Sequence, residues 1–423
     1  MKTIVVKEKV LYVLLLGLFC TFFYAYTDTL NGILIGGLIL CGLVYSSPRD
    51  KWKVLKQRRH IWFMLLYFLM LGLSLFYSDN QGRGFRYLDT RLALFYFPVG
   101  IGLLELSKAF KEKILLGLAT ITTAACAFCL LWGIRASQFF QHPELLYNDS
   151  LTDIIGRQSI YVSLLVNISI FIFSYWIFFK ETSGRKKTAM LTAVLFLFVV
   201  SYLLASRNMM LVLYAVSFGF LFYYILKKKK YLEGATLLMA MCIGIFLVFK
   251  FFPQTINRFR ELTFTEYKYE NTGKESHYNM EVSADQWNGA NFRLAAWKCG
   301  WTVFSRSPIG GVGLGDKQDE LMKEYARKGF SFGINTKKNV HNNYLDVLMS
   351  IGIVGLVLFL FGWILLPLYY AAAAGDWLSF LIICTISLAM ITEIYFDRTI
   401  GGMIVGFIIP FLSNTGRTQG YES

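Results

Sequence analysis

Three cationic side chains in this 423-residue chain sit where an anion and a transferred proton could meet. Arg207 occupies a very short turn, SRNMM, between two apolar runs. Arg293 lies in NFRLAAW, and His341 directly precedes a long apolar run in HNNYLDVLMSIGIVGL. Guanidinium groups bind phosphate oxygens bidentately and stay ionised, so a pair of arginines suits a phosphorylated ligand. An imidazole, with a reference pKa of about 6.5, can take a proton near neutral pH. Arg157, in GRQS at the end of another apolar run, is a third candidate anion ligand, and Asn342 stands next to His341, where it could orient the ring. Each has an ordinary alternative. Arginines at span ends, Arg83, Arg86 and Arg398 among them, commonly extend to lipid headgroups, and a histidine near a helix start is often only a hydrogen-bonded cap.

Other chemistries have thin support. Pro308–Gly315, PIGGVGLG, lacks both GxxxxGK[ST] and a preceding strand, so it reads as a tight turn near a lipid-facing site rather than a phosphate cradle. His60, His142, His277 and His341 are scattered, and no HExxH, DxD or paired CxxC occurs, so no metal site is expected. Six of the seven cysteines, including Cys126 and Cys129 of the lone CxxC, lie in apolar runs and read as packing thiols. Asp316, Asp319 and Glu320 read as a solvated helix start.

The elements that must position these residues follow from composition. Hydrophobic residues make up 56% of the chain and charged ones only 16%, against about 25% charged in soluble domains, which excludes an ordinary water-soluble enzyme. The expectation is an all-α polytopic membrane protein. Apolar runs of about 20 residues give twelve expected spans, at 10–26, 30–45, 60–77, 91–107, 114–133, 158–179, 188–205, 209–226, 233–252, 343–369, 377–395 and 400–413. The first is not a cleaved signal, because no small-residue cleavage site follows it and a second apolar run does. With both termini cytoplasmic, the inner segments carry 21 Lys and Arg and the short outer ones 7, as the positive-inside rule requires. That bias accounts for most of the net charge of +15 and argues for no nucleic-acid partner.

One segment breaks the rhythm. Residues 253–340 form a long outer loop with 13 Lys and Arg against 10 Asp and Glu, dividing the chain into spans one to nine (1–252), a loop domain (253–340) and spans ten to twelve (341–423). Long loops of this kind carry function. Within it, Asn291 is expected to cap an amphipathic helix whose Leu294, Trp297, Trp301 and Phe304 form a stripe lying at the membrane interface. A second short helix is expected over Asp319–Lys328, and the polar stretch 264–289 is expected to be irregular.

The order of these pieces resembles the bacterial O-antigen ligase and O-antigen polymerase superfamily. The match runs over about Ser201–Phe361: SR at Arg207, R-x3-W at Arg293–Trp297, then SPIGGVGLGD, then HN-x2-L-x6-G-x2-G at His341, Asn342, Leu345, Gly352 and Gly355. The resemblance implies a GT-C-type glycosyltransferase of the bacterial inner membrane that needs no metal or other cofactor. Its active site would lie on the periplasmic face. Its donor would be a glycan on a polyprenyl (undecaprenyl) diphosphate, and its acceptor the lipid A core for a ligase or another lipid-linked repeat unit for a polymerase. By the same resemblance, Arg207 and Arg293 hold the diphosphate, and His341 is the general base or a diphosphate ligand. A single long outer loop favours the ligase. A lipid-linked sugar transporter is the rival from another class, although no internal repeat supports it.

Overall fold

The computed structural model describes residues 2–229, 264–271 and 286–413, with isolated positions between 231 and 250. The expected span at 233–252 and the loop stretches 253–263 and 272–285 therefore lie largely outside the described residues. A chain this apolar must satisfy its backbone internally, and it does so with helices: no strand occurs among the described residues. The helices are α1 (Lys2–Phe22), α2 (Asp28–Tyr45), α3 (Pro48–Gln57), α4 (Arg59–Leu73), α5 (Gln81–Thr90), α6 (Ala93–Gly100), α7 (Lys108–Phe140), α8 (Asn148–Thr152), α9 (Ser159–Phe179), α10 (Gly184–Leu203), α11 (Arg207–Lys228), α12 (Gly289–Arg306), α13 (Lys317–Arg327), α14 (Ser331–Thr336), α15 (Asn343–Phe359), α16 (Leu366–Ala373), α17 (Trp377–Ala389) and α18 (Thr399–Leu412). The chain is a multi-pass membrane protein.

Six described helical stretches are long and apolar enough to cross a membrane: Arg59–Tyr77, Lys108–Phe140, Ser159–Phe179, Gly184–Leu203, Arg207–Lys227 and Asn343–Ala373. Five expected spans take a different form: α1, over 10–26, is not among the six, and α2, over 30–45, meets the measure only when joined to α3 across a 98° bend. Residues 91–107 hold only the eight-residue α6, which carries Pro98 and gives way to turns. α17 and α18 have 13 and 14 residues, about 20 Å at 1.5 Å per residue, short of the ~30 Å hydrocarbon core. The connector between them, 390–398, is irregular apart from a 3-10 turn at Tyr395–Asp397. α9 is the most buried of the long helices and packs against α7, α10, α11 and α17.

At one end of the bundle, α12 and α13 pack on α15, α14 packs on α13, and together they build a second core around Trp287, Phe292, Tyr325, Phe330 and Val340. Asn288, not Asn291, caps α12: its side chain accepts from the Ala290 and Asn291 N–H groups. The Asn291 side chain reaches back to the Asn288 N–H, a reciprocal capping box. α12 buries Phe292, Ala295, Ala296, Cys299 and Val303. The expected stripe is split: Leu294 and Trp301 are 40% and 57% exposed, whereas Trp297 and Phe304 pack against this second core and the Trp297 Nε1–H donates to Val340 O at 2.8 Å.

The glycine-rich turn has a different purpose from the one its composition suggests. α15 breaks at Ile351 and Gly352, the latter at φ +65°, and the Pro308–Gly315 loop fills the gap. The Val312 and Gly313 N–H groups donate to the Met349 and Ser350 carbonyls at 2.8 and 2.9 Å, while the Ile353 N–H donates to Pro308 O at 2.8 Å. A Cβ at Gly352 would collide with the Ile309 carbonyl, and one at Gly311 with the Ser350 backbone. The loop thus takes over hydrogen bonds that the broken helix gives up. Asp316, at the loop's end, accepts the Asp79 and Asn80 N–H groups at 2.7 and 2.8 Å, and Asp319 pairs with Arg83. These acids are structural partners rather than a solvated cluster.

A candidate transfer cleft

Helix ends from distant parts of the chain enclose a polar cleft of ≈ 280 Å3. It is lined from the start of α9 (Gln158, Ser159, Tyr161), the α10–α11 turn (Ser206, Arg207), α12 (Arg293), the approach to α15 (Asn339, His341) and the 390–398 connector (Glu393, Asp397, Arg398). Neither the N-cap of α11, Ser206, nor that of α18, Arg398, closes its helix with a side-chain hydrogen bond. Both first turns therefore lend partial positive charge to the cleft.

Arg207 opens α11 two residues after Ala205, whose φ of +48° turns the chain just before the Ser206 N-cap. Arg293 lies one turn into α12, where Nη1 donates to Gly289 O at 2.6 Å and Nε to Thr392 O at 3.1 Å. The two guanidiniums converge over Gly289. A Cβ there would stand 2.5 Å from Arg207 Nη2 and 3.0 Å from Arg293 Nη1, so a larger residue would push the two guanidinium tips from their present positions.

His341 is held in an unusual way. Its φ is +45°, a left-handed conformation that a non-glycine residue adopts at a cost, and such outliers cluster at functional sites. Its N–H donates to the Asn339 side-chain oxygen at 3.0 Å, and Nδ1 lies 3.1 Å from Glu393 Oε2. Burial pushes the Glu393 carboxyl up. The hydrogen bond and charge of His341, the charge of Arg293 and the Ile394 N–H outweigh that and hold it below its usual range. An ionised carboxylate only accepts, so Nδ1 carries the proton and Nε2 is the basic nitrogen.

Beneath the cleft lies a buried ion cluster. Asp346 and Asp397 are bridged by Arg91 Nη2, at 2.8 and 2.9 Å, and by Lys317 Nζ, at 2.6 and 2.7 Å. Burial pushes the Asp397 carboxyl up, but Lys317 and Arg91 prevail and keep it ionised. The cluster ties α13 of the loop region to α15 and to the connector that carries Glu393.

Of the five residues singled out by type and position, the structure brings Arg207, Arg293 and His341 into one cleft and leaves two elsewhere. Arg157 does not line it: its guanidinium donates to the Thr21, Phe22 and Tyr24 carbonyls at 3.0 Å each, closing the end of α1. Asn342 does not orient His341. Its side chain accepts the Leu345 N–H at 3.0 Å and caps α15. The orienting group is Glu393, which sequence reasoning misses. Arg398, expected at the headgroups, lines the cleft instead. No group of three or more His, Cys, Asp or Glu stands ready for a metal among the described residues, and every cysteine among them is a free thiol.

No curated protein matches the chain. The family model described as O-Antigen ligase matches residues 191–360, the stretch that supplies Arg207, Arg293, His341 and the interlocked glycine loop. Across that stretch, about two fifths of the chain, it is similar to the O-antigen ligase family.

Proposed function

We propose that the cleft is the transfer site of an O-antigen ligase, a metal-independent GT-C-type glycosyltransferase of the bacterial inner membrane. In this reading the chain crosses twelve times, with a loop domain at 253–340, both termini cytoplasmic and the cleft on the periplasmic face. The glycan moves from undecaprenyl diphosphate to a hydroxyl of the lipid A core. The observation that carries the reading is the convergence of Arg207, Arg293 and a carboxylate-held histidine in one cleft. The excess of positive charge on the opposite short loops supports the outward orientation.

The reaction follows from these groups. Arg207 and Arg293 bind the diphosphate oxygens and lower the energy of the charge that collects there. Nε2 of His341 takes the proton of the acceptor hydroxyl as its oxygen attacks C1 of the donor sugar. The C1–O bond breaks, its electron pair leaves with the diphosphate, and the anomeric centre inverts. Glu393 stabilises the imidazolium that forms, as a carboxylate does beside a histidine base. That partner favours His341 as base over His341 as diphosphate ligand.

The test is purified protein with a polyprenyl-diphosphate-linked glycan and two acceptors, lipid A core and a second lipid-linked repeat. Glycan on the core supports the ligase, and elongated lipid-linked glycan makes the protein a polymerase. Absence of any covalent product refutes a transferase.

A further inference from the structure

Arg398 lines the same cleft, and the reaction above gives it no part. The residue is exposed and serves as the N-cap of α18 through its backbone, its carbonyl accepting the Gly402 N–H at 3.0 Å. Its guanidinium forms no hydrogen bond or ion pair among the described residues, whereas the neighbouring acids are engaged. Asp397 is held by Arg91 and Lys317. Asp149 takes the Ser159 N–H at 2.6 Å and so closes α9.

We propose, resting on the reading above, that Arg398 is a third diphosphate-binding arginine, completing the charge balance of the site as the leaving group forms. A diphosphate diester carries two negative charges, and the polyprenyl diphosphate it releases carries a third. Facing the ligand, Arg207 and Arg293 are offset by Glu393 to a net single positive charge; Arg398 raises this to two. When Nε2 of His341 takes the hydroxyl proton the site rises to three, matching the leaving group. Without Arg398 the cleft is one charge short at both stages, and the deficit acts on the more highly charged species most strongly. The unclosed N-terminus of α18 adds its partial charge at the same place.

The experiment compares wild type, Arg398→Gln and Arg398→Lys in transfer and in equilibrium binding of farnesyl diphosphate and farnesyl monophosphate. Because Arg398 is exposed and caps through its backbone, both variants keep the wild-type melting temperature. Arg398→Gln is expected to lower kcat/KM and farnesyl diphosphate affinity roughly 10- to 100-fold each, with a smaller effect on the monophosphate, and Arg398→Lys to recover part of both. Wild-type binding and transfer by Arg398→Gln would overturn the inference, leaving Arg398 a headgroup-facing residue. Lost transfer with unchanged diphosphate affinity would also overturn it, assigning Arg398 to the acceptor. A wild-type protein that neither binds farnesyl diphosphate nor forms covalent product fails the transferase reading itself, an outcome distinct from either.

Discussion

Replacing Glu393 by glutamine keeps the size of the side chain and removes the charge beside His341. The Nδ1 to Oε2 separation is 3.1 Å, which puts the charge centres roughly 4 Å apart, worth about 4 kcal/mol at an effective dielectric constant of ~20. His341 is 25% exposed and Glu393 17%, so solvent screening leaves roughly half, about 2 kcal/mol. If Glu393 stabilises the imidazolium of the transition state, that loss lowers kcat/KM about 30-fold. A larger fall, toward ~10⁴-fold, would mean that the amide has turned its NH2 to the ring and imposed the wrong tautomer. The assay is steady-state transfer in nanodiscs, with melting temperatures confirming that both proteins are folded. A folded Glu393→Gln variant within threefold of wild type would refute the assignment. The acid side offers a second check. The Glu393 carboxyl is held below its ordinary value, so the pair contributes fully to stability above the unfolded-state pKa of about 4.3. That contribution is lost as pH falls through the lower folded-state value. The stability difference between wild type and Glu393→Gln should therefore close only below about pH 4.3.

Other consequences are equally concrete. Arg207→Ala and Arg293→Ala should insert and fold normally while transfer falls by about 100-fold or more; unimpaired turnover in the double variant would show that they serve only the headgroups. Asp346→Asn leaves Arg91 and Lys317 sharing Asp397 alone in a buried setting, and thermal unfolding in detergent should register a loss of about 3–5 kcal/mol. Gly352→Ala forces a Cβ against the Ile309 carbonyl at φ +65°, so it should destabilise by at least roughly 1–3 kcal/mol, seen as a lowered melting temperature. NMR of the product should show an inverted anomeric centre, and prior dialysis against EDTA should leave the rate unchanged.

The cations at the site are legible in the sequence because an ionisable residue next to a long apolar run stands out against its surroundings. Glu393 is hidden by the same apolarity. Composition reads 377–395 as one span and absorbs the carboxylate into it, as it absorbs Asp346 into 343–369 and Arg91 into 91–107. An ionisable group inside an apolar window is itself the signal that could have found all three. The glycine loop is legible as a motif but not as a joint, since its partner is a helix break some 40 residues away in sequence and the fit depends on tertiary contact. Asn288 and Asn291 are both asparagines that can cap, and only the reciprocal hydrogen bonds distinguish the cap from its partner. The long spans follow from apolar periodicity and run length alone, but the stripe of α12 does not: Leu294 and Trp301 face outward while Trp297 and Phe304 meet the core that α13 and α14 bring over the helix. The distribution of Arg157 and Arg398 could not follow from periodicity either: both end apolar runs, and which guanidinium finds carbonyls and which a cleft is decided by neighbouring helices.

Whether the cleft transfers glycan with His341 as base is decided by comparing purified wild-type protein with His341→Ala, from a polyprenyl-diphosphate donor to lipid A core, in detergent without added metal. Core-linked glycan is expected from the wild type, with a loss of about 10² to 10⁴ in rate for the variant. Equal rates from the two proteins, or no covalent product from the wild type with any acceptor, would contradict that assignment.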